Sequence, residues 1–242
     1  MAKNKNLIPD QPRRVYGRRK GRPLNPARQK ALDELLDTLH ASLPEELDAK
    51  QSPQSFFPSP KKEIHMEIGF GDGEHLAERI RQSVSQNIGF IGAEPYMNGM
   101  AAFLKRVEDF ALPHDSIKIW MDDAIRLVES FQDHSLDLLY ILNPDPWPKL
   151  RHHKRRIVNQ DNLDLFARVL KPGATLIMTT DVSDLAEWMV TQASIHPSFE
   201  WTAQSRQDWT IPPENWISTR YEEKGRAAGR TELFLIFKRL ND

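Results

Sequence analysis

Cysteine is missing from all 242 residues. That absence removes disulfides, thiolate zinc sites, iron–sulfur clusters and cysteine nucleophiles from consideration. Long apolar runs are missing too, since none approaches the roughly 20 residues of a membrane span. No basic-then-apolar leader opens the sequence, because Met1 to Lys30 is polar in character. Together these absences predict a cytoplasmic setting and no membrane partner. What is present is 39% hydrophobic and 28% charged residues, the balance of a globular chain. The length suffices for one α/β domain with a real core and is marginal for two.

The formal net charge is only −1, but it is unevenly spread. Residues 1–30 hold ten bases (Lys3, Lys5, Arg13, Arg14, Arg18, Arg19, Lys20, Arg22, Arg28 and Lys30) against one acid, Asp10, which leaves the body acidic. A basic arm on an acidic body suits a polyanionic partner, most often nucleic acid. A solvated tail is the plain alternative. Pro9, Pro12, Gly17, Gly21, Pro23 and Pro26 break any helix there, so residues 1–27 are expected to form a mobile arm. A second basic cluster, Lys149, Arg151, Lys154, Arg155 and Arg156 with His152 and His153 among them, directly follows Pro144-Asp145-Pro146-Trp147-Pro148. A rigid proline-rich loop leading into a cationic run is suited to holding phosphates.

Leu32, Leu35, Leu36 and Leu39 fall at helical spacing and predict a short amphipathic helix over 28–42. Pro44, Pro53, Pro58 and Pro60 mark a linker, so residues 28–60 read as helix plus linker and 61–242 as the main domain. Strands are predicted over 63–68, 88–93, 117–121, 136–142 and 174–180, with helices over 74–84, 97–110, 124–130, 159–170 and 185–193. Met66, Ile68, Phe90 and Ile91 are core candidates. This alternation means βαβ units and a mainly parallel sheet. Residues 198–202 and 231–238 read as a final strand pair without an intervening helix, expected to add antiparallel pairing at one edge.

The first strand runs into Glu67-Ile68-Gly69-Phe70-Gly71-Asp72-Gly73, and a helix follows. A glycine-rich turn at the carboxyl end of the first strand is where doubly wound sheets bind nucleotides. The dinucleotide fingerprint needs glycine at position 74, where Glu74 stands, and Asp72 and Glu74 would repel a pyrophosphate. A cationic nucleoside without phosphates, such as S-adenosylmethionine, suits the turn better. Gly69, Gly71 and Gly73 let the backbone approach it. Glu94, at the end of the second strand, matches the acid that grips ribose hydroxyls in such sheets. Asp122-Asp123 ends the third strand; one of the two can accept a hydrogen bond from adenine while the other faces solvent or caps the next helix, and Asp123 is the preferred ligand residue.

The fourth strand delivers Asn143-Pro144-Asp145-Pro146-Trp147 to the same edge, next to the first strand. Asp145, fixed between prolines, reads as a preorganised carboxylate, with a structural Asx turn as the plain alternative. The segment NPDPWPKLRHHKRRIV (143–158) closely resembles the signature of bacterial tRNA (guanine-N7)-methyltransferases. EIGFGDGEHL (67–76), IGAEPY (91–96) and TRYEEKGRAAGRTELFLIFKR (219–239) fit the same family, so the resemblance covers roughly residues 60–239. Asn143 stands where an aromatic residue is usual, and Arg220-Tyr221 where Lys-Phe is common, which bears on the shape of the guanine pocket.

The resemblance implies a Rossmann-like class I methyltransferase fold: an α/β, mostly parallel seven-stranded sheet with helices on both faces and an antiparallel last strand. It implies S-adenosylmethionine as donor, tRNA as partner, and a guanine at position 46 of the variable loop as acceptor. It makes Asp145 the catalytic residue and puts Glu67, Glu94, Asp123 and Asp145 at the cofactor. It assigns Lys149, Asp181 and the stretch Thr219, Arg220, Tyr221 and Glu222 to the substrate. Lys149, Arg151, Lys154, Arg155 and Arg156 are placed for phosphates, and Trp147 either stacks on the base or packs in the core. Glu222 either reads a guanine edge or pairs with Lys224 or Arg226, and Gly225 and Gly229 suggest a bending loop. No metal is expected, and a monomer or homodimer is. The alternatives are a methyltransferase of this fold with another substrate and a non-catalytic RNA-binding module; an NAD oxidoreductase is the weakest.

Overall fold

A computed structural model gives the fold and describes residues 16, 17, 19–43 and 49–241. Lys3, Lys5, Arg13, Arg14 and Arg18 of the basic arm, and Pro44 of the linker, lie outside the described residues. In chain order the elements are α1 (Pro26–Leu39), β1 (Glu63–Ile68), α2 (Glu74–Gln82), β2 (Ile88–Ala93), α3 (Met97–Asp109), β3 (Ile117–Trp120), α4 (Ala124–Glu129) and β4 (Leu136–Leu142). They continue with α5 (Gln160–Val169), β5 (Leu170–Thr180), α6 (Ser183–Ile195), β6 (Phe199–Trp201), α7 (Gln207–Thr210), α8 (Arg220–Ala227) and β7 (Leu233–Arg239).

The seven strands form one sheet in the order β3-β2-β1-β4-β5-β7-β6. Pairing is parallel from β3 through β5, and β7 runs antiparallel to both β5 and β6. The strands alternate their burial between two layers, as the period of two requires. Ile88 and Phe90 face a cluster with α1, α2 and α3, whereas Ile91 and Ala93 face one with α4, α5 and α6. Met66 and Ile68 lie in the second cluster. Helices therefore cover both faces.

Four local expectations are corrected. Pro26 does not break a helix but starts α1 at its first turn, behind an Asn25 cap that accepts from the Arg28 amide. Ala31, Leu32 and Leu39 of that helix are buried against the sheet domain. β5 begins at Leu170 rather than 174: Leu136 pairs with Leu170, and the register then shifts, with Gly173 at φ 79° taking up the irregularity. The segment between β6 and β7 carries two helices, and the expected bending loop is α8. Its start is a Thr-x-x-Glu box in which the Thr219 side chain accepts from the Glu222 amide.

Candidate active site

The carboxyl ends of β1, β2, β3 and β4 open on two adjoining clefts, of about 530 and 610 Å³. Asn143 belongs to the walls of both. The first cleft gathers Gly69, Glu94, Asp123, Asp145, Lys154 and Arg155. The second gathers Glu67, Gly71 and the four residues Thr219, Arg220, Tyr221 and Glu222. Of the expected cofactor residues, Glu67 and Gly71 thus sit across the Asn143 wall from Gly69, Glu94, Asp123 and Asp145, and Gly73 lines neither cleft.

The turn after β1 is shaped by three left-handed glycines, Gly69 (φ 74°), Gly71 (φ 56°) and Gly73 (φ 70°). A Cβ at Gly73 would strike Phe103, so this glycine serves packing against α3. A Cβ at Gly69 or Gly71 would meet nothing within 4 Å, so there the missing side chain leaves open space along the backbone. Glu94 is buried and ties the turn down: its carboxylate accepts from the Gly71 amide at 2.8 Å and from the Tyr96 amide at 2.8 Å. Burial pushes its carboxyl above the usual range, against those two amides, and the charges of Asp145 and Asp72 push the same way.

Glu67 is buried and bonded to His75 Nδ1 at 2.7 Å. His75 in turn packs its ring against Tyr140 and Trp216. Both aspartates after β3 are employed. Asp123 caps α4 through the Ile125 amide at 3.0 Å, so the residue preferred as a ligand is also the cap; Asp122 is ion-paired with Arg19 and Arg126.

The loop 143–147 is held in an uncommon shape. Asn143 (φ 47°) and Trp147 (φ 44°) both lie in the left-handed region, which is unfavourable for a tryptophan. What enforces it is Arg156. This arginine, 1% exposed, does not face solvent phosphates as expected; it lies under the loop. Its Nε donates to the Pro146 carbonyl at 3.0 Å, its guanidinium lies over the Trp188 ring, and it is ion-paired with Asp184 of α6. A buried arginine must spend its donors on the protein. Asp145 stands at the cleft mouth, and desolvation by the cleft walls raises its carboxyl.

The basic run forms a 3-10 turn over Leu150–Arg155. Lys149, Arg151 and Lys154 are exposed and make no ion pair with a described residue. Arg155 is stacked between the rings of Tyr16 (4.6 Å) and Trp147 (5.0 Å). Trp147 thus packs in this surface stack and not in either core cluster. Four cationic neighbours, after desolvation, hold the His152 imidazole below its ordinary value. The described part of the arm lies along the same edge: Gly17 approaches Asp145, the Met97 amide donates to the Arg19 carbonyl at 3.0 Å, and the Gly21 amide donates to Asn98 at 2.9 Å.

The second cleft is framed by pairs far apart in sequence. Arg220 is bonded to Glu74, which also pairs with Arg106 at 2.9 Å. Asp181 holds Arg230 at 2.6 Å, with the Tyr221 hydroxyl at 3.5 Å. Glu222 pairs with neither Lys224 nor Arg226 in this structure. It is buried and accepts from Trp216 Nε1 at 3.0 Å and the Ser218 hydroxyl at 3.2 Å. His75 and Tyr16 line the clefts, Trp216 packs on His75 and Glu222, and the sequence reading missed all three. The position of His75, two residues past the glycine turn, was a usable signal; the other two carried none.

A family model described as "Putative methyltransferase" matches residues 61–235. A Rhizobium meliloti (strain 1021) protein named tRNA (guanine-N(7)-)-methyltransferase is 42% identical over 93% of this chain and 94% of its own. A Rhodospirillum rubrum protein of the same name is 38% identical over 96% of this chain and 89% of its own. Among solved structures, the 16S rRNA methyltransferase KamB is similar at TM-score 0.52 and 13% identity, over 75% of this chain and 89% of that one. TrmN from Thermus thermophilus is similar at TM-score 0.50 and 12% identity, over 74% of this chain and 45% of that one. These two likenesses establish the fold. Among the described residues no helix is long and apolar enough to cross a membrane, and no cluster of metal-ligating side chains occurs.

Proposed function

The chain belongs to the tRNA (guanine-N(7)-)-methyltransferase family, and we propose that it transfers a methyl group from S-adenosylmethionine to N7 of guanine 46 in the tRNA variable loop, in the cytoplasm. The observation that carries this reading is the clustering of Glu94, Asp123 and Asp145 in one cleft beside a glycine turn open to backbone approach. The fit to the donor is chemical. Burial raises the Glu94 carboxyl, the charges of Asp145 and Asp72 add to the rise, and a sulfonium and an ammonium relieve that crowding of carboxylates. The open space at Gly69 and Gly71 admits a nucleoside against the backbone.

Bound there, S-adenosylmethionine supplies a methyl carbon activated by a sulfonium. Guanine N7 carries a free lone pair, so the chain needs no general base. Its work is alignment and exclusion of water. Glu94 and Asp123, with Gly69, hold the donor side, Glu67 and Gly71 meet it from across the Asn143 wall, and Gly73 seats the turn on α3. Asp145 accepts hydrogen bonds from guanine N–H groups and stabilises the positive charge that appears on the base. Lys149, Arg151, Lys154 and Arg155 take the backbone phosphates around a splayed nucleotide. Thr219, Arg220, Tyr221, Glu222 and Asp181 frame the acceptor side.

The test is to incubate the protein with S-adenosylmethionine and an unmodified tRNA transcript, digest the RNA and map 7-methylguanosine. Its appearance at position 46 is expected. Cofactor binding without any 7-methylguanosine would keep the fold and overturn the substrate. Asp145→Ala should cut turnover at least a hundredfold while tRNA affinity stays within about threefold; a variant with most of its turnover would remove Asp145 from catalysis.

A further inference from the structure

Three carboxylates surround the acceptor side near Asn143, and two are fully employed. Glu222 accepts from Trp216 and Ser218, and Asp181 from Arg230 and Tyr221. Glu232 is the exception. It stands one residue before β7, whose Leu233 pairs with Thr180 of β5. Both of its oxygens are buried and without a hydrogen bond of good geometry, and so is Oδ1 of Asn143; the Thr179 and Asn143 side chains act on the Glu232 carboxylate as weak donors. Asn143 is anchored beside them, its amide donating to the Thr179 carbonyl at 3.0 Å and its Nδ2 lying 3.5 Å from Thr179 Oγ1.

We propose that Glu232 is a positioning residue for methyl transfer, acting through Asn143 on the wall between the two clefts. The inference rests on the function proposed above. Buried acceptors short of donors are costly, and while Glu232 is ionised three buried acceptor oxygens share only the weak donation of the Thr179 hydroxyl and the Asn143 amide. One proton on Glu232 supplies the missing O–H donor. Asn143 occupies a left-handed position at the head of the loop and precedes Asp145 by two residues. Pinning its amide therefore pins the start of the segment that aims Asp145. Losing the pin lets that segment relax, and sub-ångström alignment is what this reaction depends on.

The surroundings favour the protonated form. Burial pushes the Glu232 carboxyl up to about 7, the charges of Glu222 and Asp181 add to the rise, and Thr179 and Asn143 oppose it. The titratable and charged groups facing it are Glu222 and Tyr221 of α8 and Asp181 after β5, with Arg230 paired to Asp181. None of the three acidic neighbours supplies a compensating positive charge.

The experiment measures kcat at saturating tRNA and S-adenosylmethionine from pH 5.5 to 8.5, reading 7-methylguanosine formed. The wild-type protein is expected to lose at least fivefold through a limb centred near 7. Glu232→Gln, whose amide donates at every pH, should retain turnover and lose that limb. Glu232→Leu, with no donor, should be slow across the whole range. Asn143→Ala should also be slow, and adding Glu232→Gln to it should change nothing further. A wild-type profile without the limb, a limb that persists in Glu232→Gln, or effects of the two substitutions that multiply independently would each overturn the proposal. A wild-type protein that makes no 7-methylguanosine at any pH overturns the functional reading and this inference with it.

Discussion

Replacing Arg156 by methionine should separate structure from substrate binding. The arginine lies beneath the Asp145 loop and makes its contacts with Pro146, Trp188 and Asp184. Arg156→Met should therefore lower kcat at least tenfold and leave the KM for tRNA within about threefold, whereas Arg151→Met should do the reverse. A raised KM in Arg156→Met would return that residue to the phosphate contacts. Glu232 gives a second test at this scale, on stability. A buried carboxyl raised to about 7 binds its proton more tightly folded than unfolded. Stability from that group is full below its unfolded value near 4.5 and is lost as pH rises toward 7, by up to about 3 kcal/mol. The Tm of Glu232→Gln should accordingly match wild type near pH 4.5 and exceed it at pH 8 by several degrees; a gap that does not widen with pH would refute it. Glu94, Asp123 and Asp145 could be picked out as candidates in the sequence because each follows the end of a strand, whereas Glu232 could not. The partners of the site's carboxylates were not legible. Glu67–His75 spans one turn, but Arg220–Glu74 spans most of the chain, and no local pattern encodes such a contact.

Elements fared better than contacts. The alternation of strand and helix was readable because β1 to β4 are apolar runs ended by glycine, proline or acidic residues. β5 began earlier than expected because a Pro-Gly pair reads as a stop, while a register shift carries the strand through it. α8 was missed because Gly225 within it and Gly229 just past its end outweighed its start signal, although the Thr219-x-x-Glu222 box was in plain view. That box supports an element-scale prediction. Thr219→Ala should cost about 1 kcal/mol through the lost cap, a fall of about 2–4 °C in Tm. Because α8 also presents Arg220 to Glu74, the KM for tRNA should rise while S-adenosylmethionine affinity is unchanged. A loss of cofactor affinity instead would assign α8 to the donor cleft.

Charge distribution belongs to the whole molecule. The basic cluster at 149–155 and the arm lie on an otherwise acidic protein, an arrangement that gives polyanion binding without a basic average. Deleting residues 1–15, which remove Lys3, Lys5, Arg13 and Arg14, should make the slope of log affinity for tRNA against log salt shallower by up to about 3. An unchanged slope would mean that the arm touches no phosphate. The strand order has a different reach. β7, last in sequence, is inserted between β5 and β6, and it carries the approach to Glu232 at its start. During synthesis, then, a nascent chain can lay down β1 to β5 and still present an open edge, with β6 stranded and the acceptor wall unbuilt. Closure of the sheet and completion of the acceptor wall arrive in one late step, so ribosome-bound fragments that stop short of β7 are inert as catalysts and exposed to aggregation together.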